Sequence, residues 1–103
     1  MPAQITHNPA QRRFEARLPQ QTGLANELAV CEYQHRGQLL VFHHTEVPAA
    51  LQGQGLAAEL VAAALDWARA QGMQVRPSCS YVGQYMHRHP DTLDLLEPTG
   101  TAP

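Results

Sequence analysis

The first half of the chain carries short strand-like segments, one weakly alternating and others continuous apolar runs, and the pattern switches to a helical period after Pro48. Arg12 to Leu18 sets Phe14, Ala16 and Leu18 on one side, the pattern of a half-buried strand. A short strand over Ile5 to Asn8 precedes it, closed by an Asn8-Pro9 turn, and Pro19 to Gly23 reads as a loop. Glu27 to Gln34 opposes Leu28, Val30 and Glu32 to Ala29, Cys31 and Tyr33, which predicts another strand. His35-Arg36-Gly37 is a hairpin connection in which Gly37 can take positive φ. The longest strand is predicted from Gln38 to Val47. Its opening run, Leu39-Leu40-Val41-Phe42, suits a strand covered on both faces.

Pro48 has no N–H to give a ladder and closes this meander. From Leu56 to Gln71 the apolar residues Leu56, Leu60, Ala63, Ala64 and Trp67 recur at helical spacing, with Glu59, Asp66 and Arg69 on the wetter side. Gly72 is placed to end that helix in a left-handed conformation. Met73 to Ser78 predicts a strand lying parallel to its predecessor, because a strand–helix–strand step brings the chain back that way. Ser80 to His89 predicts a second helix stopped by Pro90, with one more helical turn over Asp91 to Leu96. The expected fold class is α+β: an antiparallel meander, then helix, parallel strand and second helix, with the helices on the sheet.

Length and composition narrow the function classes. With 103 residues there is room for one domain, assigned to residues 1–97, and a Pro/Gly/Thr-rich tail over 98–103 is expected to be flexible. A net charge of -2 gives no electrostatic basis for nucleic acid as a partner. No run approaches the roughly 20 apolar residues of a membrane span. The amino-terminal residues lack the basic and apolar regions of a signal peptide, so a cytoplasmic location without a membrane partner is expected. Cys31 and Cys79 lack metal-ligand spacing, and His87 and His89 diverge on a helix, so no metal site is expected.

The candidate chemistry sits where the strand pattern gives way to the helix. Gln52-Gly53-Gln54-Gly55-Leu56-Ala57, continuing to Ala58, opens that helix. A helix start exposes unpaired N–H groups and the positive end of the macrodipole. Glycines just before it let an anion approach the backbone, and Gln52 can add a side-chain amide. A turn that needs flexible glycines, with no ligand, accounts for the same spacing equally well.

The loop resembles the Gln/Arg-x-x-Gly-x-Gly/Ala pattern of the Gcn5-related N-acetyltransferase superfamily. His44-Thr45-Glu46-Val47-Pro48, the loop, Pro77-Ser78-Cys79-Ser80-Tyr81 and Tyr85 to Pro90 are similar to a small subfamily of single-domain acetyl-CoA-binding proteins of about this length. The resemblance runs from about Phe14 to Leu96. It implies a compact fold of that superfamily lacking the last two strands of larger members, which usually help to form the acceptor cleft. It implies acetyl-CoA as cofactor, with the pyrophosphate on the backbone of Gly53 to Ala58 and the pantothenate arm beside Glu46 and Val47. It implies transfer of acetyl to an amine, free or on a protein. The missing strands keep a second reading open, a module that binds or senses acyl-CoA without transfer. A domain with a vestigial loop is a third. The expected assembly is a monomer or weak homodimer.

Four side chains are placed for acyl transfer. Cys79, at a strand end before a helix, has the setting of a thiol with raised thiolate content. His44 carries an imidazole, the side-chain type suited to proton transfer at neutral pH, and can serve as base or orient Cys79. Glu46 shares its strand face about 7 Å away and can also act as base. By the resemblance, Tyr85 packs on the cofactor or protonates the leaving thiolate, and Arg88 can meet a cofactor phosphate. Cys31 and Trp67 read as core, and His43, His87 and His89 as structural or solvent-facing.

Overall fold

A computed structural model describes residues 4–17, 28–53 and 55–98. The strands are β1 (Gln4–Asn8), β2 (Arg13–Arg17), β3 (Ala29–Arg36), β4 (Leu39–Glu46) and β5 (Gln74–Pro77). The helices are α1 (Leu56–Ala70) and α2 (Ser80–Arg88), with 3-10 turns at Ala49–Leu51 and Pro90–Leu95. The sheet order is β1-β2-β3-β4-β5. The first three pairings are antiparallel and β4–β5 is parallel, as the predicted meander and the strand–helix–strand step require. The expected loop over Pro19 to Gly23, Leu18, Glu27, Gln54 and the tail from Thr99 lie outside the described residues.

The switch of period at Pro48 divides sheet from helix. Along α1 the buried side chains are Leu56, Leu60, Val61, Ala64, Leu65 and Ala68, one continuous helical stripe. They meet Phe14, Ala16, Ala29, Cys31, Tyr33, Leu40, Phe42 and Val75 in a single core with Val82 and Met86 of α2. The helix ends as its sequence predicts. Gly72 has φ 68°. Its N–H donates to the Arg69 carbonyl (3.1 Å) and the Met73 N–H donates to the Ala68 carbonyl (2.9 Å), the paired bonds of a Schellman cap.

One irregularity shapes everything that follows. Tyr33 pairs with Phe42 and Glu32 with His44, so His43 is an extra residue in β4. Such a bulge bends the strand and resets its alternation. Phe42 and Thr45 therefore face the core side together, Thr45 opposite buried Cys31, while His44 and Glu46 face away. The prediction of a strand covered on both faces holds for its apolar start alone: Leu40, Val41 and Phe42 are buried, but His43 and His44 are exposed. The face away from the core carries Arg13, Glu15, Glu32, Gln34, His44 and Arg76 in register, with Val30 and Val41 between them.

Beyond α2 the chain returns along the outer side of β5. Arg69 of α1 holds Asp94 at 2.8 Å, Leu96 bridges Val75, and Arg76 pairs with Glu97. That single bridge is all the pairing on this edge among the described residues.

The opposite edge depends on a histidine. His7 of β1 stacks on Phe14 with centroids 4.2 Å apart, lies 4.5 Å from the Trp67 ring, and has Nε2 2.6 Å from the Tyr33 hydroxyl. Burial among these groups pushes its pKa below the ordinary 6.5. The unfolded chain then binds the proton more readily, so stability falls as pH drops below about 6.5 and levels off below the folded-state pKa. Urea midpoints at pH 7.5 and 5 should show this loss in the wild type and a smaller loss in His7→Gln. An equal loss in both would remove His7 as the source.

Candidate functional site

β4 and β5 run together only as far as the Phe42–Pro77 pair. The Cys79 N–H then donates to the Phe42 carbonyl (2.8 Å), and the chain turns into α2. From His43 to Glu46 the β5-side edge of β4 has no strand partner among the described residues. The bulge and this parting open a wedge between the end of β4 and the start of α2.

The wedge leads into a cleft of about 340 Å³. Thr45 and Val47 form one wall, Leu51 to Gly53 and Gly55 the rim, Leu56 to Ala58 the start of α1, and Tyr81 of α2 the far wall. Leu51 and Leu56 are fully buried beneath it. Gly53 has φ 84° and Gly55, the N-cap of α1, has φ 75° and ψ 15°. A Cβ built on either glycine meets nothing within 4 Å. The sign of φ, not crowding by protein atoms, therefore calls for glycine. Gly55 has no side chain to cap the helix, so the first N–H groups of α1 lack that partner at the cleft.

Gln52 behaves differently from its expected role. Its amide N–H donates to the Val47 carbonyl at 3.1 Å and ties the loop to the end of β4. The anion-binding capacity of the loop thus rests on backbone donors, and Gln52 shapes the backbone that presents them. It also engages one lone pair of the carbonyl that the resemblance assigns to the pantothenate arm.

Cys79 is the N-cap of α2 and is half-buried beside the cleft. Its thiol donates to Thr45 Oγ1 at 3.5 Å, and the Thr45 hydroxyl donates to Cys31 Sγ at 3.8 Å. Desolvation acts to raise the Cys79 pKa, but the Thr45 hydroxyl and the nearby N–H groups of Val82, Tyr81 and Thr45 outweigh it, leaving the thiol below its ordinary value. Cys31 is the contrast: burial pushes it up to about 12, an inert core thiol as expected.

The other expected groups divide. His44 Nε2 and Glu46 Oε1 are 3.1 Å apart, so they do share a face, at 47% and 65% exposure. That face is turned from the cleft, so His44 is not brought to Cys79; the bulge puts Thr45 there instead. Tyr85 is half-buried, stacked on His89 with centroids 3.9 Å apart. Burial first, then Asp66, Asp91 and Tyr81, raise its pKa, so it remains a protonated phenol. It does not line the cleft; Tyr81, one turn earlier on the same helix, does. Arg88 borders a shallow hollow on the outward side of α2 with Ser80, Gly83, Gln84 and His87, and this hollow shares no residue with the cleft. Among the described residues no group of three His, Cys, Asp or Glu is arranged to hold a metal.

Thr45, Leu51 and Tyr81 are the lining residues to which sequence reasoning gave no role. Tyr81 was accessible through its i, i+4 relation to Tyr85. Thr45 was not, because a regular alternation puts His44 on the Phe42 side.

The family model described as GCN5-related N-acetyl-transferase matches residues 13–95. The protein named NATD1 is 33% identical in Gallus gallus over 100 residues, covering 94% of this chain and 87% of that one. The proteins of the same name in Mus musculus and Homo sapiens are each 32% identical over 100 residues, covering 94% of this chain and 87% and 85% of theirs. The solution structure of a GCN5-like protein from Staphylococcus aureus superposes with a TM-score of 0.66 at 21% identity, over 97% of this chain and 96% of that one. This last likeness is one of fold.

Proposed function

The chain belongs to the GCN5-related N-acetyltransferase family, and from that premise we propose that its cleft binds acetyl-CoA and that the protein transfers acetyl to an amine. The observation that carries the reading is the uncapped start of α1, with its two positive-φ glycines, opening beside the unpaired edge of β4. Backbone N–H groups at a helix start suit a pyrophosphate, and a free strand edge suits the amides of a pantothenate arm. Leu51 and Leu56 supply the apolar floor.

Bound acetyl-CoA would supply an activated acyl carbon with a thiolate leaving group. On one route the cleft would hold a neutral amine against that carbon; as the C–S bond breaks, the amine would lose its proton to solvent and the released thiolate would take one up. Tyr81, whose side chain reaches the cleft, is better placed to give it than Tyr85. On the other route the Cys79 thiolate attacks first, the cofactor C–S bond breaks, and S-acetyl-Cys79 then passes its acyl group to the amine. The second route is supported by the hydrogen bond from Cys79 to Thr45, a residue of the cleft wall; His44 and Glu46 serve as distant or acceptor-side groups at most.

Acetyl-CoA should therefore raise the melting temperature, and a panel of amines should release free thiol. Incubation without amine should leave acetyl on Cys79, seen by mass spectrometry and lost in Cys79→Ala. No stabilisation at millimolar cofactor would sink the reading. Binding without turnover on any amine would select the alternative, an acyl-CoA-binding module. The sparse pairing beyond β5, one bridge at Val75–Leu96 among the described residues, is what favours that alternative.

A further inference from the structure

We infer that Thr45 is the positioning residue of the Cys79 thiol, holding it at the edge of the cleft that Thr45 lines and donating its hydroxyl to the sulfur once the thiol has ionised. The inference starts from the bulge. With His43 extra, Thr45 stands on the core side of β4, opposite Cys31, and reaches the first residue of the α2 turn. Its hydroxyl lies 3.5 Å from Cys79 Sγ and 3.8 Å from Cys31 Sγ. It is also the one group in that chain of contacts that lines the cleft.

A hydroxyl gives one hydrogen at a time and rotates freely. While Cys79 is a thiol, its S–H points to Thr45 Oγ1 and the Thr45 O–H points to Cys31. When a base in solvent takes the Cys79 proton, Thr45 can turn its O–H to the thiolate, giving up a weak contact to a thiol for a charge-assisted one. Cys31 stays protonated throughout, because burial holds it up at about 12. No bond other than the S–H changes, and the proton leaves to the solvent base. The titratable groups on the elements packed around Cys79 are Cys31 of β3 and Tyr81 of α2; α1 presents Leu56, Ala57 and Ala58 to the cleft, and His44 and Glu46 lie on the opposite face of β4.

The chemical consequence for acyl transfer rests on the acetyl-CoA reading, but the Thr45–Cys79 relation does not, and the test separates them. The rate of Cys79 alkylation by iodoacetamide is followed against pH, with the modified residue identified by mass spectrometry. Thr45→Val should move the midpoint upward and slow alkylation at pH 7 by about tenfold or more, the range of one lost hydrogen bond to a charged group. Thr45→Ser should restore the wild-type profile. Should Thr45→Val fail to fold, Thr45→Ala carries the same expectation. An unchanged midpoint in the hydroxyl-free variant, or faster alkylation as from simple loosening, overturns the inference. Acetyl-CoA titration of the wild type runs beside it: absence of binding there removes the cofactor reading and leaves the alkylation result to stand by itself.

Discussion

Gly55→Glu is expected to weaken acetyl-CoA binding by at least about 100-fold while the domain still folds, a loss in line with the several kcal/mol of a like-charge clash in an interface. Gly55 sits at φ 75°, a conformation that costs an ordinary residue about 1–2 kcal/mol. Nothing lies within 4 Å of a Cβ there, so no steric term is added. A carboxylate at the start of α1 also offsets part of that strain, because it meets the positive end of the helix and can accept from its free N–H groups. Those are the donors assigned to the pyrophosphate. The variant therefore fills the proposed anion site with its own charge and repels the ligand's. Calorimetric titration with acetyl-CoA, paired with a thermal melt, reads both halves. Affinity within about threefold of wild type, in a folded variant, would put the cofactor elsewhere, since that corresponds to well under 1 kcal/mol.

The same loop shows what a sequence can and cannot disclose. Positive φ at Gly37 and Gly72 follows from residue type at a hairpin and a helix end, and α1 lies within a residue of its predicted span. Local rules suffice there, because helix period, cap and terminator are all encoded within a few residues of where they act. The side-chain partners are another matter. Gln52 looks like an anion ligand in the chain and proves to be a brace between the loop and Val47. His44 lies two residues from Glu46, and the sequence places the pair together correctly, yet its face is decided by a bulge at His43 that depends on the register with β3. Register is a property of two strands at once. A one-residue slip exchanges the faces, and with them Thr45 for His44 as neighbour of Cys79. Tyr81 and Tyr85 make the same point on a helix: both are partly buried against the core one turn apart on α2, and Tyr81 is the one that lines the cleft.

Phe42→Ala should be the most destabilising single change near the site, by about 3–5 kcal/mol. Phe42 is 0% exposed, packed edge-on against Tyr33 at 5.9 Å, and held between Tyr33 and Pro77 in the sheet. Removing its ring leaves a cavity that the two flanking strands cannot close without breaking register. A domain of 103 residues has a total stability on the order of 5–15 kcal/mol, so this is about a fifth of it or more. At about 4–8 °C per kcal/mol the melting temperature should fall by roughly 12 °C or more. His43→Ala, one residue along and exposed, should change stability by less than about 0.5 kcal/mol. Chemical denaturation of the pair measures the contrast, and a loss below about 1 kcal/mol for Phe42→Ala would contradict the packing described. The residue matters to the cleft as well. Its carbonyl receives the Cys79 N–H at 2.8 Å, at the point where β4 and β5 separate. The ring that most stabilises the sheet thus also sets where the wedge begins, so a folded Phe42→Ala protein at low temperature should already show faster, less pH-selective alkylation of Cys79. That loosening is opposite in sign to the effect of removing the Thr45 hydroxyl, and the two variants together separate the position of the thiol from its ionisation.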